Sequence, residues 1–198
     1  MDNFDDIAAV WKSAGTAPLP KAADIIAKAK KEKKELGRKI LFQGISLLIA
    51  TAGILYIATS IHFKNISTYI SLALMVICVS VFSVIRLRQA NFLKKADFTK
   101  PVEIILIQFE AFYKKQQWIN TKGVALYTTV LNIAFALYFY EVLSPASLLF
   151  KVIAVGLYIS WMLFATLWLG KKMVKKEFEK TKAIIDNIKQ LKNFTKEK

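Results

Sequence analysis

Four stretches of this chain, 40–61, 66–85, 123–140 and 152–170, pass without a single Asp, Glu, Lys or Arg. No other feature limits the fold so strongly. A hydrocarbon core about 30 Å thick is crossed by about 20 helical residues. Within it each backbone amide must find its partner in the same segment, so segments of this kind cross as helices. The sequence therefore predicts an all-α integral membrane protein with four transmembrane helices, over 40–62, 66–85, 123–141 and 148–170. Composition enters as a check. A chain that is 55% hydrophobic and carries a formal net charge of +15 must hold its charges apart from its apolar runs.

The basic residues say how the remainder is arranged. Residues 1–39 hold nine Lys/Arg, 86–122 hold eight and 171–198 hold ten, leaving only Lys64 and Lys151 elsewhere. With four crossings, 27 of the 29 fall on one side. The positive-inside bias assigns that side to the cytoplasm. The expected organisation is 1–39 as cytosolic N-terminal helices and linker, 40–85 as a first transmembrane hairpin and 86–122 as a cytosolic loop with an amphipathic helix. A second hairpin over 123–170 and a basic cytosolic C-terminal helix over 171–198 complete it. The connections at 63–65 and 142–147 are too short for an external domain. The first apolar run starts behind a long charged segment and reads as a retained anchor, not a cleavable leader. The expected location is the inner (plasma) membrane, multi-pass, with both termini cytoplasmic.

Helical periodicity recurs in the charged segments. Phe4, Ile7, Ala8 and Trp11 share one face behind Asp2, Asp5 and Asp6, ahead of a Pro-containing linker at 13–20. Ala22, Ile25, Ile26 and Ala29 form a second stripe. In the central loop Pro101 suits a first helical turn. Behind it Val102, Ile105, Leu106, Phe109, Phe112 and Tyr113 form an apolar face, broadened by Ile104, Ile107 and Trp118. Such a helix lies on the membrane or packs on a neighbour. Near the C-terminus Val174, Phe178, Thr181, Ile185 and Ile188 follow a 4-3-4-3 spacing, as in a short coiled-coil seam. Residues 93–98 also resemble 174–178 at an offset of about 80. A duplication would make each half a hairpin followed by a cytosolic helix.

Candidate sites are few. Charges inside a bilayer cost several kcal/mol and mark transport paths, and the four runs hold none. Asn132 and Gln43 are the intramembrane polar side chains of note, read as interhelical hydrogen-bonding groups that contribute ~1 kcal/mol. A substrate contact at Asn132 is the alternative. Glu141 and Lys151 flank the second outer turn and are expected to pair across it. A single His (His62) and a single Cys (Cys78) supply no soft-metal cluster, and no phosphate-binding or metalloprotease signature is present. The expectation is no cofactor, no metal and no catalysis. The Lys-rich clusters adjoin the apolar runs. They imply the lipid bilayer and its anionic inner-leaflet lipids as partners, at about 1 kcal/mol per cation, and no nucleic acid. Small residues at Ser46/Ala50 and Gly156/Ser160 would let helices approach closely, but such pairs are too common in membrane spans to specify a dimer. A homo-oligomer and a cytosolic protein are the further partners expected.

The N-terminal run Asp5, Asp6, Ile7, Ala8, Ala9, Val10, Trp11, Lys12 leads through its linker to a Lys-rich entry into span one. It resembles small four-span bacterial inner-membrane proteins that begin with a short cytosolic helix, some of them membrane-tethered regulators of the anti-sigma type. The resemblance covers the topology and about 12 residues, and this chain has no zinc-type His/Cys motif. It implies that Phe4, Ile7 and Trp11 face a cytosolic protein partner. Packing of the same face on the chain's own basic helices remains the alternative. The expected function is a non-enzymatic, cytosolic-side regulator or scaffold, with a small transporter or channel subunit as the second reading.

Overall fold

The computed structural model describes residues 22–196, and every secondary-structure element among them is helical. Helix α1 (Ala22–Ser60) is followed by α2 (Ile66–Lys95). Helix α3 (Val102–Trp118) runs through a π-helical turn, Ile119–Gly123, into α4 (Val124–Val142) without a break. Helix α5 (Leu148–Leu163) likewise passes through a second π segment, Phe164–Gly170, into α6 (Lys171–Lys196). The described residues thus form four rods, Ala23–Ser60, Ile66–Lys95, Val102–Val142 and Leu148–Asn193, each with a stretch long and apolar enough to cross a membrane. The protein is an all-α, four-helix membrane protein.

At 1.5 Å per residue these rods are about 45–70 Å long, well beyond one bilayer crossing. The excess lies at the basic end, where Lys, Glu, Gln and Ala are good helix formers and need no turn. Among the described residues one sharp stop interrupts that end. Asp97 accepts hydrogen bonds from the Thr99 amide (3.0 Å) and hydroxyl (2.7 Å), and Pro101 cannot donate an amide to the preceding helix. Its carbonyl then accepts from Ile104 and Ile105 to start α3.

At the basic end, α3, α6 and the adjoining parts of α1 and α2 pack around one core. Leu36, Ile40, Leu93, Phe109, Ile184 and Ile188 are its fully buried members, with Ala90, Ile105, Phe112 and Ile185 around them. Phe92 stacks on Phe112 with ring centroids 4.9 Å apart and meets Phe109 edge-on. The amphipathic helix of the central loop is therefore a bundle member packed on its neighbours. Its broadening residues Ile104, Ile107 and Trp118 stay exposed. The C-terminal seam is intramolecular and turned from the sequence expectation. Glu177, Thr181, Ile184 and Ile188 are its most buried positions, while Val174 and Phe178 are only half-buried.

The suggested duplication finds no counterpart in the rods. Residues 93–98 end a helix and enter a turn, whereas 174–178 lie inside one. The central helix is continuous with the span after it, and the C-terminal helix with the span before it.

In the apolar shaft α2 is the middle rod, with buried positions from Thr68 to Leu93 at helical spacing. It meets α1 closely at Gly44, where the Ser83 hydroxyl donates to the Gly44 carbonyl at 2.8 Å. A Cβ on Gly44 would lie 2.8 Å from Leu87 Cδ2. The fourth rod behaves differently: no residue of α5 or its π segment is buried. It touches the third rod at Tyr158–Asn132 and again at Glu177–Asn120. Between those points it spends 19 residues against 12, about 28 Å against 18 Å. The fourth rod therefore runs a longer path than the third between these two contacts, and it is the stretch from Leu148 to Gly170 that stays unburied, not the basic extension.

Candidate functional site

Where the apolar shaft meets the packed bundle, all four rods contribute to one buried polar cluster. Its centre is Arg86, 6% exposed, and Glu177, 1% exposed. Arg86 Nη1 donates to Glu177 Oε2 at 3.2 Å and to Gln89 Oε1 at 3.1 Å, and its Nη2 donates to Asn120 Oδ1 at 3.0 Å. Glu177 also accepts from Gln43 Nε2 at 3.0 Å and Asn120 Nδ2 at 3.4 Å, with Lys39 Nζ 3.7 Å away. One turn on, the Thr181 hydroxyl lies 2.8 Å from Gln116 Oε1 and 2.9 Å from the Glu177 carbonyl.

Local structure explains how these groups converge. The π turn at Ile119–Gly123 widens the third rod, and its Ile119 and Asn120 are its buried residues. Insertions of this kind re-aim side chains and recur at functional sites. Arg86 directly follows the uncharged run 66–85 of α2, where a guanidinium must either leave the helix for water or find acceptors inside the bundle. It finds three, and its cationic carbon also lies 5.4 Å from the Phe82 ring centroid.

The cluster satisfies its charges but not all its amides. Among the described residues, Gln43 Oε1, Gln89 Nε2 and Gln116 Nε2 are buried without a hydrogen-bond partner. Each unpaired group of this type costs about 1–3 kcal/mol. Chemically the arrangement is a knot: the guanidinium is held by three acceptors and the carboxylate is encircled by donors. It suits holding four rods in one register.

The rest of the bundle carries ordinary surface ion pairs on its α6 side. Lys180 pairs with Glu35 and lies 3.6 Å from Glu32, Lys189 lies 3.3 Å from Glu110, and Lys192 lies 4.0 Å from Glu103. The hydrogen bond from Lys180 holds the Glu35 carboxyl below its ordinary range, and the same bond raises the Lys180 ammonium.

The residues singled out from sequence fall in three places. Phe4, Ile7 and Trp11 lie outside the described residues. Asn132 does join two rods: the Tyr158 hydroxyl donates to its Oδ1 at 2.7 Å, and its own Nδ2 donates to the Thr128 carbonyl at 2.8 Å. Gln43 belongs to the junction cluster. The expected Glu141–Lys151 pair does not form. Glu141 accepts from the Lys64 and Asn65 amides at 2.6 and 3.0 Å and from the Thr68 hydroxyl, while Lys151 Nζ donates to the Ser144 carbonyl at 3.0 Å. The carboxylate sits at the N-terminal end of α2, where exposed amides and the helix dipole favour an anion. This clasp ties the two hairpins together, not the two ends of one turn.

Comparison with family models, curated proteins and solved structures returns no match for this chain.

Proposed function

We propose that the protein is a non-enzymatic, membrane-anchored regulator or scaffold that presents its basic bundle and N-terminal segment to a cytosolic protein partner. One observation carries the reading: the packed core at Leu36, Ile40, Leu93, Phe109 and Ile184 lies entirely at the basic end, while the opposite end consists of two connections of a few residues. The surface large enough for specific recognition is therefore the Lys-rich one, and the distribution of basic residues favours the cytoplasm for it. On this reading the chain resides in the inner membrane with both termini inside. Its Lys/Arg flanks meet anionic lipid, and Phe4, Ile7 and Trp11 are the partner-facing positions. Association of copies through the uncovered fourth rod fits the same reading.

The transporter alternative draws less support. Both halves of the Asn132 amide are engaged within the bundle, and no charge lines the shaft. The test is a photo-crosslinking residue at Trp11 of the full chain in native membranes. A product containing one reproducible cytosolic protein is expected, and products confined to the chain itself would refute the regulator reading.

A further inference from the structure

The basic surface is not uniform. On the α6 side Lys180, Lys189 and Lys192 face acidic partners. On the opposite side a groove of about 760 Å³ opens between α1 and α2. There Lys34, Arg38 and Lys94 make no hydrogen bond or ion pair among the described residues, and all three are exposed. The one acid in the lining, Asp97, spends both carboxylate oxygens on Thr99. Lys33 is also occupied, donating to the Ala96 carbonyl at 2.8 Å over the Phe98 ring.

Depth distinguishes this groove from a generic basic patch. One end is Leu41 and Leu87, the lining residues nearest the apolar shaft on these two rods, and Leu93 and Ala90 form a buried floor. Arg38 is three residues beyond Leu41, and Lys34 and Lys94 are seven beyond Leu41 and Leu87. Those steps are about 4.5 Å and 10 Å. A bilayer's headgroup layer adds about 5–8 Å on each face of its hydrocarbon core, and lysine stems reach back several ångströms. The cations thus stand at phosphate depth with a greasy slot leading away from them into the shaft. The volume falls in the 300–1,000 Å³ range of small-molecule sites.

We propose that this groove binds one acidic glycerophospholipid, its phosphate held by Lys34, Arg38 and Lys94 and the start of an acyl chain laid over Leu41 and Leu87. Asn91, exposed in the lining, faces the polar headgroup. The assignment rests on the reading that the rods cross a bilayer with Leu41 and Leu87 at its boundary. It does not depend on which face of the membrane that boundary is.

The test is native mass spectrometry of the full chain in mild detergent, with dioleoyl phosphatidylglycerol or dioleoyl phosphatidylcholine added. The expected result is one phosphatidylglycerol retained in preference to phosphatidylcholine by about tenfold or more. K34E/R38E should lower the retained phosphatidylglycerol by at least that factor. K171E/K176E, with the same charge change on the fourth rod, should leave it within about twofold. An unchanged far-UV dichroism melt of each variant confirms its fold.

Equal loss in both variants would overturn the site in favour of diffuse electrostatics. Displacement by millimolar glycerol phosphate would assign the cations to a soluble phosphate and overturn the lipid. Displacement by a peptide of residues 1–20 would assign the groove to the chain's own N-terminal segment, with the same consequence. Membrane sidedness is read separately, by labelling Lys95→Cys in intact cells. External labelling would refute the orientation while leaving the groove result standing.

Discussion

The junction pair makes a quantitative prediction. Arg86 and Glu177 approach to 3.2 Å and are 6% and 1% exposed. At an effective dielectric of about 20, their attraction is about 5 kcal/mol. Removing each ion from water costs several kcal/mol, so the pair contributes little net stability while each member depends on the other. Glu177→Leu strands the guanidinium with only the neutral acceptors Gln89 and Asn120, and should cost about 3–5 kcal/mol. Arg86→Met leaves the carboxylate with Gln43, Asn120 and the more distant Lys39, and should cost somewhat less, about 3 kcal/mol. The double variant, apolar at both positions, still strands the amides of Gln43, Gln89 and Asn120, but removes the uncompensated charge and should cost at least about 2 kcal/mol less than the sum of the singles. The assay is reversible unfolding in mixed detergent–dodecyl sulfate micelles followed by near-ultraviolet dichroism, for all four corners of the cycle. Independent sites add within about 0.5 kcal/mol. A double variant that costs the sum of the singles, or singles below about 1 kcal/mol, would mean that the two groups are hydrated and do not form a buried, mutually dependent pair.

Four further outcomes follow from the geometry. Gly44→Ala forces Leu87 aside, since the new Cβ would sit 2.8 Å from its Cδ2, and should lower stability in the same assay by about 1–3 kcal/mol. Gly37→Ala places its Cβ 3.6 Å from that of Leu93 and should be neutral or stabilising by up to ~1 kcal/mol. Asn132→Leu and Tyr158→Phe remove opposite ends of one hydrogen bond, so each should cost about 0.6–1.7 kcal/mol and the double no more than the larger single. Glu35 titrates below its ordinary value when folded, so its contribution is present above that ordinary value and is lost as pH falls through the folded one. Melting temperatures scanned downward from about pH 5 should fall more steeply for the parent than for Glu35→Gln, and parallel curves would disprove the coupling to Lys180.

The four rods were legible because lipid imposes a length and purity that few other sequences meet. The faces of α3 and α6 were legible because a helix buried on one side repeats every three or four residues. Arg86 and Glu177 were not, for a physical reason. In a chain with 29 basic residues, a cation beside an apolar run looks like every other flanking cation, and its acid stands 91 positions away. One signal was available: Glu177 precedes Thr181, Ile184 and Ile188 by four, seven and eleven, on the buried face of an otherwise basic helix. Glu141 misled in the opposite way. Lys151 is its near neighbour in sequence, yet the unpaired amides opening α2 are better donors for a fixed carboxylate than a flexible lysine beside water.

The two ends of the molecule are held together by different forces, which bears on how it responds to perturbation. In water each fully buried Leu, Ile or Phe of the basic-end core contributes about 1.5–3 kcal/mol. In the shaft the same side chains gain almost nothing from leaving lipid tails, so cohesion there depends on close packing and a few polar contacts. The shaft's contacts are correspondingly sparse on one rod: α5 has no buried residue and is tied to α4 by the Tyr158–Asn132 hydrogen bond. The fourth rod is anchored instead through its extension α6, which supplies Glu177, Thr181, Ile184 and Ile188 to the junction and core. Loosening the basic-end bundle should therefore release the fourth rod from its neighbours, whereas loosening the Asn132 contact should leave the bundle folded. A partner that engages the basic bundle would in this way acquire leverage over a helix inside the membrane, with the Arg86–Glu177 knot as the point through which it acts.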